Sequence, residues 1–102
     1  MDTKEYNIVI SEDALSTLDQ HAEFLARASR NAAIKMVDQI LGDIDSLSSL
    51  PERCPFYDNP FVHGNRYRRM LSAKRYLIIY EISEDTVFAD YLLDGRQENK
   101  DF

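Results

Sequence analysis

The sequence holds one cysteine, Cys54, so no internal disulfide can form and a reducing compartment is expected. Glycine is scarce: Gly42, Gly64 and Gly95 are too scattered to build a phosphate-cradling loop. The prolines are equally few, and Pro51, Pro55 and Pro60 all fall in one stretch. One cysteine and two distant histidines, His21 and His63, offer no zinc spacing, so neither metal nor cofactor is expected. No apolar run approaches the roughly 18 residues that span a bilayer; Leu77-Ile78-Ile79-Tyr80 is the longest obvious one. The opening Met1-Asp2-Thr3-Lys4-Glu5 is charged and leads straight into a strand pattern. No secretory signal and no membrane partner are therefore expected, and a cytoplasmic location is.

What is present fits a small globular chain. The 102 residues leave room for one domain, expected over 1–102, and the 44% apolar content is too high for a disordered chain. The net charge of −6 argues at first against a nucleic-acid partner. The distribution is more informative. Residues 1–50 set four Lys/Arg against nine Asp/Glu, and residues 81–102 set two against seven. Residues 51–80 reverse the balance, with Arg53, Arg66, Arg68, Arg69, Lys74 and Arg75 against Glu52 and Asp58. A basic island sits in an acidic chain.

Tyr6–Ile10 alternates Tyr6, Ile8 and Ile10 on one face and predicts a first strand. Ser11 offers an N-cap hydroxyl, with Glu12 and Asp13 where the helix macrodipole favours negative charge. Leu15, Leu18, Ala22 and Leu25 recur at helical spacing, so a helix is predicted from about 12 to 28. Ser29-Arg30-Asn31 supplies the next turn and cap. Ala33, Ile34, Val37, Ile40, Leu41, Ile44 and Leu47 then trace a second amphipathic stripe, closed by Leu50-Pro51. The two helices read as an antiparallel hairpin. Pro51 to Gly64 reads as an extended irregular connection, after which the period changes from 3.6 to 2. Strands are predicted at Arg66–Leu71, Arg75–Ile82 and Thr86–Leu93, with turns at Ser72-Ala73-Lys74 and Ser83-Glu84-Asp85. In the middle one, Tyr76, Ile78, Tyr80 and Ile82 share a face. The expected fold is α+β, β-α-α-β-β-β, a helical hairpin on one face of a mostly antiparallel four-stranded sheet. The place of the first strand in the sheet stays open.

Five motifs in this order resemble the RelE/ParE toxin superfamily over nearly the whole chain: Tyr6–Ile10, Leu50-Pro51-Glu52-Arg53, Arg66-Tyr67-Arg68-Arg69-Met70, Tyr76–Ile82, and Leu92-Leu93-Asp94-Gly95-Arg96-Gln97. The Arg-Arg-Met entry to the second strand and the Tyr-Leu-Ile-Ile-Tyr third strand resemble the ParE-like branch. RelE-like ribonucleases usually carry an arginine where this chain has Leu77, a lysine pair before that strand, and a histidine or tyrosine near the C-terminus, where this chain offers Asp94 and Phe102. The resemblance implies the toxin of a type II toxin–antitoxin, plasmid-stabilisation (addiction) module, a ParE-like inhibitor of DNA gyrase without bond-breaking chemistry of its own. The alternative is a RelE-like ribosome-dependent mRNA endoribonuclease. A second alternative is a degenerate member that only binds antitoxin.

Cleavage through an RNA 2′-hydroxyl needs a proton acceptor, a proton donor and cations around the phosphate. Arg66, Arg68, Arg69, Arg75 and Arg96 are the target-binding candidates, with Lys74 nearby. Alternation places Arg66 and Arg68 on one strand face and Arg69 on the other. His63, Glu81 and Tyr80 are weaker candidates, since a loop histidine is more often a surface residue and a strand tyrosine more often core. His21 lies mid-helix, away from the basic island. Asp43, with Asp38 and Asp45, is expected on a solvated helix face. No residue stands out as a catalyst. The family's antitoxins wrap the toxin with a helix and an extended segment, so a cognate antitoxin is the expected partner, with an acidic segment drawn to residues 51–80. DNA gyrase is the expected target, or the ribosome with mRNA in the enzymatic alternative. A homodimer through the same surfaces is the remaining partner reading.

Overall fold

The computed structural model describes residues 4–58 and 64–95. The first strand, β1, covers Asn7–Ile10 and hands the chain directly to helix α1, Glu12–Ala26. Ser11 makes that junction. Its Oγ accepts the Ala14 amide at 2.9 Å, and its hydroxyl donates to the Asp90 carbonyl at 2.6 Å, so the cap also ties α1 to the sheet. Ser29 caps helix α2, Arg30–Asp45, by accepting the Ala32 amide at 3.1 Å. The two helices pack against each other as the expected hairpin.

Helix α2 ends two residues short of Leu47, and a 3-10 turn, Ser46–Ser48, completes the run. Arg53 reaches back over this end and donates to the carbonyls of Ser46, Ser49 and Leu50 at 3.3, 2.6 and 3.2 Å. The Ser46 and Leu50 carbonyls already accept the amides of Ser49 and Arg53, so the basic side chain adds a second donor to each and reinforces the end of the helical segment. Leu50 takes a left-handed conformation (φ 50°, ψ 55°), and Pro51 opens a second 3-10 turn, Pro51–Arg53. The connection predicted as irregular is therefore ordered at its start, because proline's fixed φ suits the first position of a helical turn. Phe56 then forms an isolated bridge with Arg68, so the described part of the connection also skirts the sheet.

Strands β2 (Arg68–Ser72), β3 (Tyr76–Ser83) and β4 (Thr86–Asp94) form an antiparallel meander. The turn between β2 and β3 places Ala73 and Lys74 at φ 52° and 62°, with the Arg75 amide donating to the Ser72 carbonyl at 3.2 Å. Two successive left-handed residues match the right-handed twist of the flanking strands. Strand β1 adds on the far side, parallel to β4, which gives the order β1-β4-β3-β2. The fold is α+β, two helices on a mostly antiparallel four-stranded sheet, as the sequence predicts. Its one parallel pair places the first strand at an edge.

The register assigns the faces. Ile8, Val87 and Ile82 lie in one row across the sheet, Ile10, Ala89, Tyr80 and Arg68 in the next, then Leu92, Ile78 and Met70, then Asp94, Tyr76 and Ser72. The apolar members of these rows face Leu18, Met36, Ile40, Ile44 and Leu47 and form the core with them. The face predicted for Tyr76, Ile78, Tyr80 and Ile82 is the helix-covered one. A β-bulge interrupts β4: Tyr80 pairs with Ala89 and Ile79 with Tyr91, leaving Asp90 as the extra residue. The bulge shifts the alternation, so Val87 and Ala89 point into the core before it and Leu92 after it. No described helix is long and apolar enough to cross a membrane.

Candidate functional site

The other sheet face carries no helix. Its rows read Val9, Phe88 and Glu81; then Tyr91, Ile79 and Arg69; then Leu93, Leu77 and Leu71. Tyr67, just before β2, meets Tyr91 edge-on at 6.2 Å between ring centroids. Leu71 is 63% exposed, and Val9 and Tyr91 are each 45% exposed. A contiguous apolar and aromatic surface left open on a small protein marks a contact site more often than an idle one.

Two arginines belong to this face. Arg66 precedes the strand and donates from Nε to Glu81 Oε2 at 2.8 Å, its side chain remaining largely exposed. Arg69 is exposed, and its side chain makes no hydrogen bond or ion pair with any described residue. Arg68 turns the opposite way. It donates to the carbonyls of Glu52 and Cys54 at 3.0 and 2.7 Å and lies 4.0 Å above the Phe56 ring. The predicted grouping is thus rearranged: Arg66 and Arg69 share the open face and Arg68 sits on the other. Arg66 lies two residues ahead of the strand's start, so the strand alternation does not govern it.

Arg75 lies at the end of the molecule where β3 begins. Its guanidinium engages Asp94 and stacks 5.4 Å from the Tyr76 ring. Asp94 lies buried at the end of β4, and the hydrogen bond to its carboxylate raises the Arg75 pKa. His21 arrives at the same place from α1: its ring meets Tyr76 edge-on at 5.3 Å, with Nδ1 3.5 Å from the tyrosine hydroxyl. The histidine placed away from the basic island is therefore a neighbour of Arg75. A separation of 55 residues between His21 and Tyr76 left no local signal for it. Asp43 is likewise no solvated bystander, since it is half-buried and accepts the Ser72 hydroxyl at 2.6 Å, fastening α2 to β2.

The weaker candidates divide. Tyr80 is fully buried and donates to the Pro51 carbonyl at 2.6 Å. Burial, then the Cys54 thiol, pushes its phenol pKa up, so it holds its proton at any ordinary pH. Glu81 is engaged by Arg66, whose own pKa the Glu81 hydrogen bond raises. His63 and Arg96 lie outside the described residues. Tyr67 and Asp90, which sequence reasoning passed over, complete the open face. Burial, then Glu81 and Asp90, pushes Tyr67 up to about 12, and burial, then Glu81, raises Asp90. Asp90 owes its place to the bulge, which carries no signature in the sequence.

Among the described residues no group of three or more His, Cys, Asp or Glu side chains is arranged to hold a metal ion. The face is built for contact: aromatic and aliphatic area, one neutralised cation and one free cation.

No curated protein matches the chain in sequence. A solved structure described as the chromosomal ParDE TA system from P. aeruginosa is similar with a TM-score of 0.73 at 12% identity, over 90% of this chain and 98% of that one. At that identity the likeness concerns the fold alone. The family model for the ParE toxin of the type II toxin–antitoxin system, parDE, matches residues 8–98, which include both helices and all four strands apart from Asn7. The chain belongs to the ParE toxin family of type II toxin–antitoxin systems.

Proposed function

We propose that the protein arrests growth as the toxin of a plasmid-stabilisation (ParDE) module, by binding DNA gyrase through its open sheet face, and that a cognate antitoxin neutralises it. Membership of the ParE family over residues 8–98 carries this reading. The binding mode draws support from the face itself, where Tyr67, Tyr91 and Leu71 supply the kind of anchors that dominate protein contacts. Arg69 supplies a free cation among them, and Arg66 a second that Glu81 already partners. An inhibitor of this kind needs no proton-transfer centre, and the described tyrosine and glutamate candidates are held in structural contacts. The net charge of −6 suits a protein target better than a phosphate backbone. Arg96 is proposed for the same contact on its place in the Gly-Arg motif.

The test is induced expression in bacteria, with and without the neighbouring small open reading frame. Growth arrest, rescue by the neighbour, and gyrase-linked DNA breaks with filamentation are expected. Rapid loss of intact messenger on ribosomes instead establishes the RelE-like ribonuclease. Absence of both arrest and rescue favours a degenerate member that only binds antitoxin.

A further inference from the structure

The basic island holds one cation that neither the core nor the open sheet face employs. Lys74 sits in the turn between β2 and β3, exposed, with no hydrogen bond or ion pair to any described residue. Its backbone is held at φ 62°, next to Ala73 at φ 52°. Left-handed conformations are costly for residues other than glycine and asparagine, and a turn of this kind is ordinarily made by Asn-Gly or Asp-Gly. Ala-Lys is a poor pair for the turn itself, so the strain has to be set against something the side chain does.

Lys74 borders a cleft of about 810 Å³ between α2 and the β2–β3 turn. Met36 from α2 and Tyr76 from β3 are buried side chains that line it, with Leu25 of α1 beside them. Lys35 joins from α2, exposed and likewise without a hydrogen bond or ion pair to any described residue. Two of the three lysines among the described residues therefore border one cleft, and the third, Lys4, lies over the Tyr6 ring. Arg75 adds a guanidinium that Asp94 already engages. Against these cations stands Asp43, whose carboxylate accepts the Ser72 hydroxyl at 2.6 Å and the Gln39 amide at 3.1 and 3.2 Å. In a chain of net charge −6, the cleft sets an excess of positive charge beside apolar and aromatic side chains. Its size falls within the roughly 300–1,000 Å³ of small-ligand sites, which pair such walls with a few polar groups.

We infer that this cleft binds a small amphipathic anion, a planar apolar body carrying one phosphate, sulfonate or carboxylate. The body packs on Met36 and Tyr76, since a thioether and an aromatic ring both suit a flat apolar surface. The anionic group is held by Lys35 and Lys74, away from Asp43. Lysines act as point charges on flexible stems, so they accept any of the three anions without a fixed fork geometry. Leu71 is the one described residue that the cleft shares with the proposed gyrase contact. The inference therefore does not depend on that contact.

Two dyes test this on the full chain: anilinonaphthalene sulfonate and its uncharged parent, N-phenylnaphthylamine. They differ only in the sulfonate, and both brighten in apolar surroundings. The sulfonate is expected to bind at least ~5-fold tighter at low salt, with the gap closing as salt rises. Lys35→Ser combined with Lys74→Gly should erase that difference and leave binding of the uncharged dye unchanged within about 2-fold. Lys74→Gly alone should weaken the sulfonate while raising the urea midpoint, because glycine adopts φ 62° without strain, so unfolding cannot explain the loss. A lower midpoint would mean that the lysine serves the turn, which overturns the inference. In NMR spectra the sulfonate should move the Met36 methyl and the Lys74 amide. Shifts confined to Leu77, Tyr91 and Leu93 would place the dye on the open sheet face and overturn the assignment. Equal binding of the two dyes, no binding of either, or a preference that survives the double substitution does the same. None of these readouts involves growth arrest, so the toxin reading stands or falls separately.

Discussion

Arg75 grips the buried Asp94 carboxylate through three hydrogen bonds, from Nε to both oxygens at 3.1 and 3.2 Å and from Nη2 to Oδ2 at 2.7 Å. The pair joins the residue just ahead of β3 to the last of β4. The next residue tightens the joint, because the Gly95 amide donates to the Arg75 carbonyl at 2.8 Å. A Cβ at Gly95 would lie 2.5 Å from that carbonyl oxygen, so the backbones must part to admit any side chain.

Arg75→Ala is accordingly expected to destabilise the fold, because it removes three charge-assisted hydrogen bonds to a buried carboxylate. The Arg75 side chain is 39% exposed, so solvent screening limits the loss to about 2 kcal/mol. Gly95→Ala should cost a similar amount, about 1–3 kcal/mol, by overpacking. Urea denaturation of both variants measures this. An Arg75→Ala protein as stable as the original, but no longer toxic, would move Arg75 from the joint to the target contact.

Arg69 and Arg68 are adjacent in sequence and opposite in role, which makes them a matched pair. Arg69→Ala should change stability by no more than about 0.5 kcal/mol, as for other exposed positions, and should reduce toxicity. Arg68→Ala removes two carbonyl contacts and the stacking on Phe56, so it should destabilise by about 1–3 kcal/mol and lower toxicity only as far as it unfolds the protein. Growth assays beside thermal melts separate the two. Full toxicity in folded Arg69→Ala removes that residue from the proposed contact, and Arg96→Ala is judged by the same standard.

Periodicity made much of this architecture readable. The change from a 3.6-residue to a 2-residue repeat after Gly64 separates hairpin from meander, and Tyr76, Ile78, Tyr80 and Ile82 fall on one face as alternation requires. Serines at 11 and 29 marked both helix starts because capping is a local interaction. What escaped was non-local. The parallel pairing of β1 with β4 brings together residues almost eighty positions apart. The bulge at Asp90 breaks the very alternation used to read the strand. The stripe on α2 was visible, but only packing decides that Ile40 is buried and Ile34 is not. Most of the basic island was read as charge available to a partner, whereas its side chains mainly find carbonyls and carboxylates of their own chain.

Tyr80 tests where structure ends and function begins. Its hydroxyl is the donor that satisfies the Pro51 carbonyl inside the core, and Tyr80→Phe leaves that carbonyl without it. A loss of about 1–2 kcal/mol is expected, seen as a lower urea midpoint with an unchanged slope. Toxicity should fall only with the folded fraction. A folded, equally stable Tyr80→Phe protein that has lost toxicity would return the phenol to the site.

Asp90 gives the fold a pH dependence of unusual sign. Burial first, and Glu81 second, raise its carboxyl pKa above the value it has in the unfolded chain. Between those two titrations the folded protein holds a proton that the unfolded chain has released, so stability falls as pH rises through that window. The penalty is fully present above the raised value and absent below the unfolded one. The effect is isolated by comparison with Asp90→Asn. That variant carries no charge to desolvate and does not repel Glu81. It should be more stable than the original at neutral pH, and the advantage should shrink towards acid pH as Asp90 itself takes up its proton. Urea midpoints of both proteins across the mildly acidic range decide it. An advantage that is constant with pH would mean that the gain comes from shape or hydrogen bonding at the bulge, and a loss at neutral pH would mean that Arg66 and Tyr67 hold Asp90 as a charged partner.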